Sequence, residues 1–119
     1  MGEDSIQKRE YYRLKYPKRA RPVMQIQDAF YHVSEVSEKG IRFIIDDPNT
    51  VHHGLSMSGV LSLHDDTVIC VEGAVLRLDQ NEVIVLLSKG PSFKDMVQEQ
   101  RHVRQEYPAY YAKMRECLA

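Results

Sequence analysis

No apolar run in this 119-residue chain approaches the roughly 18 residues that a membrane span requires, so no insertion into a bilayer is expected. No apolar segment follows the acidic-then-basic opening MGEDSIQKRE, which argues against a signal peptide. Cysteine occurs only twice. Cys70 lies in an apolar run and Cys117 near the end, without metal-ligand spacing, and both read as reduced thiols of a cytoplasmic protein. Internal repeats, low-complexity segments and a G-x-S-x-G nucleophile motif are all missing, and no enzymatic activity is expected. Histidine occurs at His32, His52, His53, His64 and His102. Adjacent histidines in a strand point to opposite faces, and no Cys or carboxylate completes a recognisable spacing, so no metal or other cofactor is expected.

What is present is the composition of one globular domain, 43% hydrophobic and 28% charged. The near-neutral total of −1 conceals a segregation of charge: seven of the 16 Lys and Arg residues fall between Lys8 and Arg21. Residues 1–21 carry a net +4 and the remainder a net −5. A pI near 6.5 argues against a general nucleic-acid binder, although a local basic arm is compatible with it.

The pattern along the chain predicts a basic arm over residues 1–21, ending at Pro22, followed by short strands. VMQIQ alternates, AFYHVSEV alternates imperfectly, and IRFIID places Ile41, Phe43 and Ile45 on one face and Arg42 on the other. SEKG is a turn in which Gly40 is expected to supply a positive φ. MSGVLSLH, TVICVEGAVLRL and EVIVLLS give three more strands, with turns at Asp65-Asp66 and Gln80-Asn81. Gly73, inside the longest of these, marks a bulge or a close backbone approach. After Gly90-Pro91 the period becomes helical, through Phe93, Met96, Val97, Gln100, Val103, Tyr107, Tyr110, Tyr111, Met114 and Leu118. Ser92 and Asp95 resemble a capping box, and Pro108 should kink or divide the helix after Glu106 or Tyr107. The expected fold is mostly β: a small six-stranded antiparallel (split) β-barrel over residues 22–119, with a C-terminal helix at about 91–117.

Two stretches carry chemistry. KREYYR (Lys8 to Arg13) offers two guanidinium forks that match a phosphate or the O6/N7 edge of guanine, a point charge at Lys8, and aromatic faces at Tyr11 and Tyr12. Read alone, it is more simply a solvated basic arm that binds nothing in particular. EVSEKG (Glu35 to Gly40) holds the hydroxyl of Ser37 three residues before a glycine that lets a flat ligand approach the backbone. Read alone, it is an ordinary hairpin turn. Arg42 and Arg77 lie within strands, where each either faces a ligand or pairs with a neighbouring carboxylate. Lys15, Lys18, Arg19 and Arg21 extend the basic segment. The tyrosines at 107, 110 and 111 pack the helix on its own barrel or form a surface for a partner or a second copy.

Together, the two stretches resemble the PilZ domain, a family of small β-barrel receptors for cyclic di-guanylate. Its RxxxR pattern reads Arg9-Glu10-Tyr11-Tyr12-Arg13 here, with Lys8 in front. Its Asp/Asn-x-Ser-x-x-Gly pattern reads Glu35-Val36-Ser37-Glu38-Lys39-Gly40, and EGAVLR (Glu72 to Arg77) resembles the family's long later strand. The resemblance implies that Arg9 and Arg13 grip guanine edges and phosphates with help from Lys8, while Ser37 and the backbone near Gly40 seat the other side. It implies a non-enzymatic receptor that signals to a downstream protein. Glu35 departs from the family's Asp or Asn: it keeps a carboxylate that can accept from guanine, but one methylene further out. Family members with damaged motifs ignore the nucleotide, so a PilZ-like adaptor acting through protein contacts is the alternative.

Overall fold

The computed structural model describes residues 12–118, with side chains through residue 113. Seven strands and two α-helices follow one another in the described chain: β1 (Leu14–Lys15), β2 (Val23–Ile26), β3 (Ala29–Val36), β4 (Gly40–Ile44), β5 (Ser56–Ser62), β6 (Val68–Asp79), β7 (Glu82–Lys89), α1 (Phe93–Glu106) and α2 (Pro108–Leu118). Every strand pairing is antiparallel. The hydrogen-bonded order β3-β2-β5-β6-β7-β4 closes on itself because β4 also pairs with β3, so six strands form a closed barrel without a free edge. The short β1 extends the edge of β3 beyond the end of β2, with Leu14 opposite Val36 and Lys15 opposite Glu35.

Period-two alternation decides which residues fill the barrel. Met24, Val33, Phe43, Leu61, Val71, Val75, Val83 and Val85 point inward and are buried, with Val33, Phe43, Leu61 and Val83 wholly enclosed. Tyr31 packs its ring on Phe43, centroids 5.2 Å apart. Positive φ angles at Asp65 (59°) and Asp66 (58°) make the β5–β6 turn, and Gln80 (59°) contributes to the β6–β7 turn. Gly73 meets the expectation of close approach: a Cβ there would lie 2.2 Å from the Leu86 carbonyl oxygen, and the β6–β7 register shifts beside it.

Helix α1 buries Met96 and Val103 in the core. It begins with the expected capping box, in which Asp95 N donates to Ser92 Oγ (3.1 Å) and Ser92 N donates to Asp95 Oδ2 (2.9 Å). Pro108 divides the helical stretch as its missing N–H requires, ending α1 at Glu106 and opening α2 as its first residue. No helix among the described residues is long and apolar enough to cross a membrane.

The stretch read as an arm joins the barrel from Leu14 onward, and Leu14 and Tyr16 are core residues. The Tyr16 hydroxyl donates to Glu99 Oε1 of α1 at 2.7 Å, and His64 Nδ1 contacts the other carboxylate oxygen. Glu99 is only 2% exposed, so these partners satisfy a charge that could not otherwise be buried. Tyr110 of α2 donates to the Lys15 carbonyl at 3.0 Å, and Gln100 Nε2 donates to the Tyr111 hydroxyl at 2.7 Å. The helices are thus bonded to the segment that follows the basic motif.

Tyr16→Phe is expected to lower the unfolding free energy by about 1.5–3 kcal/mol in a urea titration, the value of a hydrogen bond to a charged group. Burial, then the Glu99 charge and hydrogen bond, push the Tyr16 phenol far above the ordinary 10.0. The folded protein therefore keeps this proton after the unfolded chain loses it. Stability from this residue is fully present below pH 10 and declines as the pH rises above that, a decline that Tyr16→Phe should lack.

Candidate functional site

Two β-bulges determine which side chains reach the outer face. In β3, Val33 stands opposite Phe43 and Glu35 opposite Arg42, so Ser34 is an extra residue in that strand. Uninterrupted alternation from Val33 would send Glu35 into the barrel. The bulge turns Glu35 outward and returns Val36 to the core. In β6, Val75 pairs with Val85 and Arg77 with Ile84, so Leu76 is the extra residue and both Leu76 and Arg77 face outward.

The registers then assemble two lateral rows on that face. Lys15, Glu35, Arg42, Ile84 and Arg77 lie abreast across five strands. One step along, Gly40 pairs with Leu86, and Leu86 with Ala74. Continuing the β1 register back by one residue brings Arg13 level with Ser37. Ser37 N donates to the Gly40 carbonyl at 2.8 Å, and Ser37 Oγ donates to it at 3.4 Å. A groove of about 580 Å³ runs over these rows, bordered by Arg13, Glu35 and Ser37 on one side and by Leu76, Arg77 and Leu86 on the other.

Of the candidate residues, the structure brings Arg13, Glu35, Ser37 and Gly40 together in this groove. Lys8 and Arg9 lie outside the described residues. Gly40 differs from expectation, because among the described glycines only Gly54 has a positive φ. Its value here is the missing side chain: a Cβ would point at the groove, 3.4 Å from Ser37 Oγ. Of the two strand arginines, Arg42 is engaged, with Nε 2.6 Å from Glu82 Oε1 and Nη2 on Asp79 Oδ2. Arg77 lines the groove and has no carboxylate within 4.0 Å among the described residues. Arg13 Nη1 lies 3.5 Å from Glu35 Oε2, with the Arg13 side chain 44% exposed and that of Glu35 only 10%.

Leu76, Ile84 and Leu86 are groove residues that the sequence pattern did not single out. Each stands in an apolar strand that reads as core, and only the register shows the outward face. Leu86 is 58% exposed and Leu76 41%, and together with Ile84 they make the apolar side of the groove. A second cleft of about 330 Å³ adjoins the groove, lined by Lys15, Arg21, Ser34, Tyr110 and Glu82, with Glu35 and Arg42 bordering both. Arg21 Nε is buried without a hydrogen-bond partner among the described residues. Burial pushes the Tyr110 phenol up, Arg21 opposes this and Glu35 adds to it. The main groove thus combines an apolar wall, a floor without side chain and guanidinium groups on opposite sides. It suits a flat group with apolar faces that carries phosphate.

The PilZ domain family matches the chain over residues 7–107. Two solved structures share the fold. The Bacillus subtilis inhibitor of motility (MotI/DgrA) superposes with a TM-score of 0.64 at 19% identity, over 84% of this chain and 52% of that one. This chain therefore corresponds to about half the length of that protein. The PilZ domain of YcgR from Escherichia coli, solved with c-di-GMP, superposes with a TM-score of 0.63 at 15% identity, over 84% of this chain and 97% of that one. No curated protein matches the chain in sequence.

Because Leu86 stands on the groove wall and not in the core, Leu86→Ser is expected to change the unfolding free energy by no more than about 0.5 kcal/mol. Phe43→Ala, at a wholly buried position two strands' pairing inside the barrel, should cost about 3–5 kcal/mol in the same urea titration.

Proposed function

The chain belongs to the PilZ domain family, and from that premise we propose that it is a cytoplasmic, non-enzymatic receptor for cyclic di-guanylate that signals to a protein partner. The observation that carries this reading is the convergence of Arg13, just ahead of β1, with Ser37 of the β3–β4 turn and Gly40 at the start of β4, on a single groove with an apolar opposite wall. Arg13 binds a phosphate or a guanine edge through its guanidinium fork, assisted by Arg9 and Lys8 of the same motif. Ser37 Oγ donates to a phosphate oxygen. A guanine lies over Gly40, where no side chain intervenes, and against Leu86 and Leu76. Arg77 supplies a further cation from the far side. The ligand has two phosphate charges and two flat bases, which matches this distribution of cations and apolar surface.

A second reading, a PilZ-like adaptor that works through protein contacts without the nucleotide, is favoured by one specific observation. The Arg13 guanidinium already has a carboxylate 3.5 Å away.

Calorimetric titration with cyclic di-guanylate at moderate salt tests the choice. Saturable binding is expected, weakened by about 1–3 kcal/mol in Arg13→Ala if a bidentate contact is lost. Binding should also weaken as salt rises, because exposed charges contribute. No heat, together with no chemical-shift change at the groove residues, would sink the receptor reading in favour of the adaptor. Wild-type binding that persists undiminished in Arg13→Ala would remove Arg13 from the site.

A further inference from the structure

The groove contains an anion of its own. Glu35 is the only carboxylate lining it among the described residues, and it is turned outward by the β3 bulge. Its carboxylate sits 3.5 Å from the Arg13 guanidinium, with the Glu35 side chain 10% exposed. An incoming phosphate needs the same guanidinium. One guanidinium can hold two anions, as Arg42 holds Asp79 and Glu82, but the anions repel each other there, so the Glu35 carboxylate opposes a phosphate at Arg13.

We infer that Glu35 is a built-in competitor for Arg13, so that ligand binding is an exchange of one anion for another and residue 35 sets the affinity. This rests on the reading above, in which Arg13 takes a phosphate, and it adds what limits that step. The displaced carboxylate has a place to go. Glu35 borders the adjoining cleft, where Lys15 lies directly opposite it in the β1–β3 register and Arg21, whose buried Nε has no hydrogen-bond partner among the described residues, is a further lining cation. Arg42, on the other flank, is already engaged by Asp79 and Glu82. The exchange therefore moves Glu35 from Arg13 toward Lys15 and Arg21, beneath Tyr110 of α2. The extra methylene of Glu over Asp gives residue 35 its reach: the two residues sit on neighbouring strands, diagonal to each other and not directly opposite.

The sign of the effect separates this role from an alternative in which Glu35 chiefly holds the ligand. Neutralising Glu35 at constant length, as Glu35→Gln, or removing it, as Glu35→Ala, leaves Arg13 without its internal partner. Affinity for phosphate should then rise, by up to about fivefold for a partly exposed ion pair. If the carboxylate instead contributes to binding, both changes lower affinity.

The experiment titrates the full chain and its Glu35→Gln, Glu35→Ala and Arg13→Ala/Glu35→Gln variants with inorganic pyrophosphate and, separately, with cyclic di-guanylate. Binding is followed by calorimetry and by amide shifts at residues 13, 37 and 40, and thermal unfolding verifies that each variant is folded. Pyrophosphate carries no guanine and therefore reports on the phosphate step alone. Tighter pyrophosphate binding in both single variants, lost again in the double variant, is the expected result. Unchanged, weaker or undetectable pyrophosphate binding in both single variants overturns the inference. Tightened pyrophosphate binding with no response to cyclic di-guanylate in any variant would retain the competition at Arg13 while removing the nucleotide reading.

Discussion

The pairing of β3 with β4 is the contact on which the rest of the molecule depends, because it converts a row of six strands into a ring. A closed ring has no unpaired edge, and it divides every strand into an inner and an outer set of side chains. To take part, β3 has to serve three neighbours: β2 and then β1 along one edge, and β4 along the other. The extra residue at Ser34 accommodates this. Ser34 Oγ lies 3.3 Å from the Arg42 carbonyl and 3.2 Å from Glu82 Oε1, so polar contacts occupy the irregularity. The same irregularity turns Glu35 to the outer side of the barrel, where it lines the groove while staying largely buried. The site is therefore a by-product of closure: the bulge that lets the sheet close is also what places a carboxylate in the groove.

The helices are joined to the site through hydrogen bonds more than through apolar contact alone. Tyr16 and Lys15 lie three and two residues beyond Arg13, and they are held by Glu99 of α1 and Tyr110 of α2. Burial, with Tyr111 and Tyr110 adding to it, raises the Tyr12 phenol, which places that residue among the tyrosines of α2. A displacement of the Arg13 segment must either carry these bonds along or break them. Glu99 makes breaking them costly, since a carboxylate 2% exposed would lose a partner in a low-dielectric surrounding. The segment that carries Arg13 and the C-terminal helices thus form one mechanical unit.

Electrostatically, the groove is more balanced than the basic segment beside it would indicate. Arg42 is neutralised by Asp79 and Glu82, and Arg13 is partnered by Glu35, which leaves Arg77 as the described groove arginine without a carboxylate. Counting basic residues in the chain overstates the cationic character of such a surface, because pairing across strands is invisible in a linear tally. The apolar wall of Leu76, Ile84 and Leu86 then has a larger share in deciding what fits.

What the sequence determined by itself is the part of the structure governed by local rules. Alternation or apolar runs between turn residues marked all six barrel strands, Ser92 and Asp95 marked the start of α1, Pro108 marked its division from α2, and Gly73 marked a close approach. The turn from Glu35 to Gly40 and the position of Arg13 were legible as a pattern, because spacing along the chain is all that such motifs require. Tertiary structure alone decided what depends on register. It placed Leu14 and Tyr16 of the basic segment in the core, turned Glu35 and Leu76 outward, engaged Arg42 and left Arg77 facing the groove. One residue of slip reverses the face of every side chain beyond it, and a bulge is such a slip. No local propensity announces where closure of the ring will demand one.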